Sequence, residues 1–140
     1  MESANWIDHI NICSLLASLK QKVGVPDDVT TKQIQPILQE ALLIVKQNKT
    51  YLTLLTQLLE HEKTVLRHSF HVTVYSLAIG SKINMKREEL QHLALAALLH
   101  DIGKISIRST LLNKPGRLTQ KEYEEIKTHT IWGLDYLQSY

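Results

Sequence analysis

Hydrophobic residues recur at helical spacing through most of the chain. Residues 6–23, 37–45 and 51–83 each carry apolar side chains three and four positions apart. This spacing places the apolar side chains along one face of an α-helix, where they can pack into a core. No stretch shows the strict alternation of apolar and polar residues that predicts a half-buried strand. The pattern therefore predicts an all-α protein.

Polar residues and turn formers divide these stretches into separate helices. Residues 48–50 predict a break, and residues 61–64 predict a second joint. Asn84 predicts a turn before a helix that runs to His100. After His100 the sequence predicts a loop with one short turn near residues 109–112.

The last helix has a local start signal. Thr119 and Glu122 match the capping box, in which each side chain bonds the backbone of the other residue. We predict one helix over about residues 120–137. Just before it, Lys114-Pro115-Gly116 favours a tight turn over a phosphate-facing loop, because proline and glycine both suit turns.

Composition narrows the class of protein. The 140 residues suffice for one domain with a real core, and the net charge of +2 is too small to indicate nucleic-acid or membrane binding. Cys13 is the only cysteine, which excludes a disulfide framework and a cysteine-based zinc site. The start of the chain lacks the basic region of a signal peptide, and no apolar run approaches the roughly 18 residues of a spanning helix. We predict a soluble, cytoplasmic protein with neither a nucleic-acid polymer nor a membrane as partner.

The candidate chemistry centres on His100-Asp101, which follows an apolar run and precedes Gly103 and Lys104. Imidazole binds one metal ion, whereas a carboxylate has two oxygens and can bridge two ions. Lys104 would supply a positive charge for a phosphate docked on the metal. An adjacent His-Asp pair also arises by chance, so the pair needs its context. His68 and His129 lie in other predicted helices, and bundles build metal sites from facing helices in this way. A lone helical histidine is nevertheless more often a surface or satisfied core residue.

Four ordered motifs supply that context. They are His68-Ser69-x-x-Val72, His100-Asp101-Ile102-Gly103-Lys104-Ile105, Leu111-Leu112-Asn113-Lys114-Pro115-Gly116-x-Leu118-Thr119 and Lys127-x-His129-x-x-x-Gly133. Over about residues 60–140 the sequence resembles the HD-GYP family, an all-helical branch of the HD phosphohydrolases that hydrolyses cyclic di-GMP. The resemblance implies a helical bundle of the HD-domain type, a metal-dependent phosphodiesterase and a cyclic dinucleotide substrate.

The resemblance also implies a role for each site residue. His68 would be the first metal ligand, and His100 with Asp101 would form the signature pair. Asp101 would bridge two ions, His129 would bind the second ion, and Lys104 would contact the scissile phosphate. The cofactor would be a divalent metal, with iron or manganese favoured.

Departures from the family pattern limit the predicted activity. The sequence ends at Tyr140, before the family's adjacent histidines, its Gly-Tyr-Pro loop and a final aspartate. Thr64 stands where members with three metals carry glutamate, which argues against a third ion. We therefore predict a C-terminally truncated bundle that binds one metal weakly and has little or no diesterase activity alone. The alternatives are a non-catalytic module that binds a nucleotide or a protein, and, less favoured, an HD hydrolase of another substrate class.

The remaining expectations concern organisation. Residues 1–55 are predicted to form an N-terminal helical segment, and residues 56–140 a partial HD domain. Apolar surface exposed by an incomplete bundle predicts self-association, with a homo-oligomer as the expected form. Trp132 is interpreted as core or interface packing. The other histidines near the site are interpreted as surface residues or as supports behind the ligands; these are His61, His71 and His92. A position lining the pocket is the less favoured alternative for His71 and His92.

Overall fold

The computed structural model describes residues 30–139, together with the isolated positions 17 and 21. A π-helical turn at Thr30–Ile34 leads into helices α1 (Gln35–Gln47), α2 (Lys49–His61), α3 (Lys63–Lys82) and α4 (Arg87–Leu99), which are followed by a 3-10 turn at Ile102–Ser106 and by helices α5 (Ser109–Leu112), α6 (Gln120–Lys127) and α7 (His129–Gln138). No strand occurs in this part of the chain. The all-α prediction is confirmed.

One continuous apolar core joins the first four helices to the 3-10 turn. The predicted stripe of α1 is buried at Ile37, Leu38, Ala41, Leu42 and Val45. Leu58 of α2, Leu77 of α3 and Leu98 of α4 are also fully buried in this core. Each such side chain stabilises the fold by about 1.5–3 kcal/mol relative to an exposed one. Ile102, which is 1% exposed, belongs to the same core, so the turn after His100-Asp101 is anchored by packing.

The predicted breaks between helices are confirmed, and each has a local cause. The Asn48 side chain accepts a hydrogen bond from the Tyr51 backbone N–H at 3.1 Å and thereby caps α2. Glu62 caps α3 in the same way, with 3.3 Å between its carboxylate and the Thr64 nitrogen. Asn84 adopts a φ of 59°, a left-handed conformation that ends α3. Because these signals are short-range, the sequence pattern was sufficient to locate them.

The predicted single helix over residues 120–137 is wrong. The capping box of Thr119 and Glu122 does start α6, but this helix ends at Lys127, and α7 begins at His129. At the junction, the Thr128 hydroxyl donates to the Glu125 carbonyl at 2.7 Å. Side chains that bond nearby carbonyls compete with the regular helical ladder and favour a local break.

Several expectations lie outside the described residues. They concern the predicted helix over residues 6–23, including Trp6 and Cys13. The division of the chain at residue 55 stays a prediction. Among the described helices, none combines the length and the apolar character needed to cross a membrane.

Candidate metal centre

The end of α4 places two potential ligands side by side. His100 directly follows the last residue of α4 and keeps helical backbone angles, whereas Asp101 departs from them with φ −102° and ψ 9°. The His100 Nδ1–H donates to the Ala97 carbonyl at 2.8 Å. A carbonyl oxygen only accepts, so Nδ1 carries the proton, and the lone pair of the neutral ring lies on Nε2.

His129, at the start of α7, is oriented by the same kind of hydrogen bond from Nδ1 to a backbone carbonyl. Its Nδ1–H donates to the Ile126 carbonyl at 2.6 Å. Its Nε2 lies 3.4 Å from Asp101 Oδ1. Metal-binding histidines typically donate their other ring N–H to a carbonyl or carboxylate, which fixes the ring and the tautomer. Both His100 and His129 meet this condition.

Asp101 is the buried centre of the cluster, with 3% of the residue exposed. Its Oδ2 lies 2.7 Å from Lys104 Nζ and 3.2 Å from His100 Nε2. Its other oxygen faces His129. The structure therefore brings together His100, Asp101, Lys104 and His129, four residues that the sequence motifs had singled out.

His68 reaches the same place from α3. Ligand atoms of His68, His100 and Asp101 all lie within 4.8 Å of one another. The imidazole rings of His68 and His100 meet edge to face, with 5.6 Å between their centroids. Both histidines are exposed, whereas Asp101 is buried, so the group opens to solvent on the histidine side.

The donor set fits a divalent cation. With Nδ1 protonated, each neutral imidazole points a lone pair at a carboxylate oxygen, and two acceptors facing each other repel. This repulsion disappears when the rings take a second proton or when a cation lies between the acceptors. Two imidazole nitrogens and a carboxylate are ordinary ligands of divalent transition metals.

The charge state of Asp101 suits the same role. Burial alone would raise the pKa of Asp101, but hydrogen bonds from the doubly protonated form of His100 and from Lys104, together with the Lys104 charge, hold it well below its usual range. The hydrogen bond to Asp101 raises the pKa of His100, against the opposing effect of burial. Asp101 is thus an anion at every physiological pH.

Gly103 lets α7 approach the His-Asp turn. A Cβ on Gly103 would lie 1.9 Å from the His129 carbonyl oxygen and 2.5 Å from the Gly133 nitrogen. Only glycine permits this approach, which places His129 beside Asp101. The close approach at Gly103 was not predicted, although Gly103 and Gly133 both occur inside the motifs, and that was the available signal.

A second contact holds the segment after the motif. The His61 Nε2–H donates to the Ile107 carbonyl at 2.7 Å, and the Asn113 amide donates to Glu62. These bonds tie the end of the 3-10 turn and helix α5 to the joint between α2 and α3. His61 therefore supports the backbone behind the cluster, as one of its two interpretations held.

Other cations near the motif are neutralised by α6. Arg108 forms a two-pronged ion pair with Glu125, at 3.1 and 3.0 Å. Lys114 Nζ lies 2.6 Å from Glu122, and Gly116 has a φ of 91°, as expected for a turn. These pairings favour the turn interpretation of Lys114-Pro115-Gly116. Lys104 is the cation that contacts Asp101.

Comparison with known proteins identifies the family. A model of the HD domain matches residues 65–140. A cyclic di-GMP phosphodiesterase of Thermotoga maritima is 32% identical over 136 residues, which cover 95% of this chain and 34% of the relative. A cyclic di-GMP phosphodiesterase of Pseudomonas aeruginosa is 28% identical over 101 residues, 72% of this chain and 24% of that protein. A 3′3′-cGAMP-specific phosphodiesterase of Vibrio cholerae is 35% identical over 65 residues, 46% of this chain and 14% of that protein.

The chain belongs to the HD-domain family. The resemblance inferred from the motifs is therefore confirmed, and the relatives are cyclic-dinucleotide phosphodiesterases. The chain spans about a third or less of the length of these curated relatives. No solved structure matches it significantly.

Proposed function

We propose that this chain carries the metal-binding and phosphate-binding part of a cyclic-dinucleotide phosphodiesterase. The observation that carries the proposal is the convergence of His68, His100 and Asp101, whose ligand atoms lie within 4.8 Å of one another. The similarity to phosphodiesterases of cyclic di-GMP and 3′3′-cGAMP supports this substrate class.

Each residue has a separate task in this proposal. His68, His100 and Asp101 would hold one divalent ion, and Asp101 together with His129 would bind a second. An ion in this site would supply Lewis-acid stabilisation of charge on the phosphoryl oxygens. Lys104 Nζ, now bonded to Asp101 at 2.7 Å, turns to a phosphate oxygen and stabilises its charge.

The number of protein ligands predicts that the two ions would be bound with different affinities. The first ion has three side chains of the described residues as ligands, which resembles an open catalytic site. The second has only Asp101 and His129 from this part of the chain, and two side chains bind a divalent ion poorly. We propose one weakly held ion, iron or manganese, and little or no hydrolysis by the 140-residue chain.

The same ligand count favours one alternative. A site with a single complete ligand set suits a non-catalytic module that binds a cyclic dinucleotide without hydrolysing it. Measuring both the binding and the hydrolysis of a cyclic dinucleotide distinguishes the phosphodiesterase from the non-catalytic module.

Elemental analysis of the purified chain tests the site, with His100→Ala as control. We expect one ion per wild-type chain and a loss of that ion in the variant. Absence of metal from the wild type would contradict the proposed site, and two firmly bound ions would contradict the ligand count.

Chromatography of cyclic di-GMP incubated with the manganese-loaded chain then tests turnover. Slow formation of the linear dinucleotide supports a catalytic role. Binding with no product supports the non-catalytic module, and neither binding nor product contradicts both functions. Fast hydrolysis would show that the described ligands suffice for catalysis.

A further inference from the structure

A cavity of about 420 Å³ lies between α2, α4 and α7, directly beside the candidate metal centre. Its walls include Tyr51, Leu95, Leu99, His100, Thr130 and Leu134. The volume falls in the range of small-molecule sites, which are commonly about 300–1,000 Å³. None of the roles proposed above uses this cavity, which we call the α7 pocket.

The α7 pocket shares one wall residue with the metal centre. His100 forms part of its wall, and the Nε2 of the same ring lies 3.2 Å from Asp101 Oδ2. Thr130, another wall residue, directly follows His129. A molecule whose phosphate is held at the metal centre would therefore have the α7 pocket beside the shared His100 ring.

The chemistry of the pocket fits a nucleobase. Its walls are mainly aliphatic and contain neither a carboxylate nor a lysine or arginine, so they suit a neutral group. Tyr51 provides an aromatic ring, which is the usual stacking partner of a base. The Thr130 hydroxyl donates to the Lys127 carbonyl at 3.1 Å, which leaves its oxygen able to accept from a base N–H.

We infer that the α7 pocket binds one base of the cyclic dinucleotide whose phosphate lies at the metal centre. This assignment rests on the proposed function and adds to it the residues that contact the base. Tyr51 stacks on the base, the leucines enclose its faces, and Thr130 accepts a hydrogen bond from its edge.

Leu134→Trp tests the inference, because Leu134 is a half-exposed wall residue and the larger ring fills the pocket. Calorimetry of the manganese-loaded chain with cyclic di-GMP measures the affinity, and elemental analysis measures the manganese content. We expect the affinity to fall at least about tenfold with no change in manganese content. Ile79→Trp is the matched control, since Ile79 is 64% exposed on α3 and lies three turns beyond His68.

Tyr51→Leu gives an independent test from another helix. Loss of one base–aromatic stacking contact should weaken cyclic di-GMP about fivefold or more. If Leu134→Trp also lost manganese, its lower affinity for cyclic di-GMP would be caused by the metal centre. The affinity of Tyr51→Leu would then decide whether the pocket binds the base.

The outcomes separate the two proposals. Wild-type affinity in both Tyr51→Leu and Leu134→Trp would overturn the base pocket and leave the proposed function standing. A wild-type chain that binds manganese but no cyclic di-GMP would overturn the proposed function, and the base pocket with it.

Discussion

At the residue scale, the candidate site depends on a single buried carboxylate. Asp101 accepts from Lys104 and faces His100 and His129, so it offsets three potential positive charges. A buried charge of this kind costs free energy unless it is paired, and here the pairing uses the residues assigned to metal and phosphate. Each side chain of the cluster already has an assigned role toward the metal or the phosphate. A substitution of any of them should therefore change metal or phosphate binding directly.

Asp101→Asn should abolish metal binding while leaving the shape of the site. The amide is nearly the same size as the carboxylate but has no charge and only one acceptor oxygen. We expect the manganese affinity to fall by about two orders of magnitude or more, measured by calorimetry. Asp135→Asn is the control, because Asp135 is an exposed aspartate on α7. Equal affinities of Asp101→Asn and the wild type would rule out Asp101 as a ligand.

The pH dependence of the metal-free chain follows from His100. The hydrogen bond to Asp101 raises the pKa of His100, so the folded protein holds this proton more tightly than the unfolded chain. The resulting stability is fully present below the unfolded pKa of about 6.5 and is lost as the pH rises through the higher folded pKa. The melting temperature of the metal-free chain should therefore decrease as the pH rises above about 6.5.

His100→Gln supplies the control for that melting experiment. The variant lacks the titrating ring, so its melting temperature should fall less over the same pH range. Saturating manganese should also reduce the fall in the wild type, because a bound ion replaces the proton between His100 and Asp101. Identical pH profiles for the wild type and His100→Gln would contradict this assignment.

At the scale of elements, the site is built from the end of α4 and the start of α7. Their contact depends on Gly103, where an added Cβ would overlap the backbone of α7. At Gly133 an added Cβ would make only ordinary contacts, with the Gly103 nitrogen 3.5 Å away. The two glycines therefore face each other but tolerate substitution very differently.

Gly103→Ala and Gly133→Ala form a matched pair for this contact. We expect Gly103→Ala to lower the free energy of unfolding by about 3 kcal/mol or more, since backbone atoms must move. Gly133→Ala should change it by about 1 kcal/mol or less, because alanine favours the helix and meets no clash. Urea denaturation measures both. Equal effects would mean that the close approach of the two backbones does not determine stability.

The sequence predicted those elements whose ends depend on neighbouring residues. Asn48, Glu62 and Asn84 end or begin helices through their own side chains or backbone angles, so the breaks were visible in the pattern. The junction at Thr128 was missed, because its hydroxyl bond to Glu125 interrupts a stretch that is otherwise well suited to a helix.

The candidate site was also predicted only in part from the sequence. Helical spacing indicated separate helices for His68, His100 and His129, but periodicity cannot place three helix faces around one carboxylate. The spacing made a shared metal pocket a hypothesis, and the resemblance to a known family assigned each residue its role. A supporting role was one of the two interpretations of His61, but its acceptor, the Ile107 carbonyl, has no sequence signal.

At the scale of the whole molecule, α7 leaves large apolar side chains exposed to solvent. Ile131 is 62% exposed and Trp132 45%, and neither lines the α7 pocket. Trp132 is therefore not part of the described core, and its interpretation as an interface residue stays a prediction. Single exposed apolar residues are common, but adjacent large ones on a short helix indicate a contact surface.

This surface predicts self-association of the chain. Pairing α7 with α7 of a second copy would remove both Ile131 and Trp132 from water, and such self-complementary contacts are the usual basis of two-fold dimers. Sedimentation velocity over a range of concentrations should therefore show a dimer in equilibrium with a monomer. Ile131→Lys should shift that equilibrium toward the monomer at least about tenfold, because a charge would be buried at the contact.

Leu43→Lys is the control for this experiment, since Leu43 is 53% exposed on α1, away from α7. It should leave the equilibrium unchanged. A wild-type chain that sediments as a monomer at every concentration would contradict self-association. A dimer that persists in Ile131→Lys but dissociates in Leu43→Lys would move the contact from α7 to α1, and the two α7 helices would then remain open to solvent in the dimer.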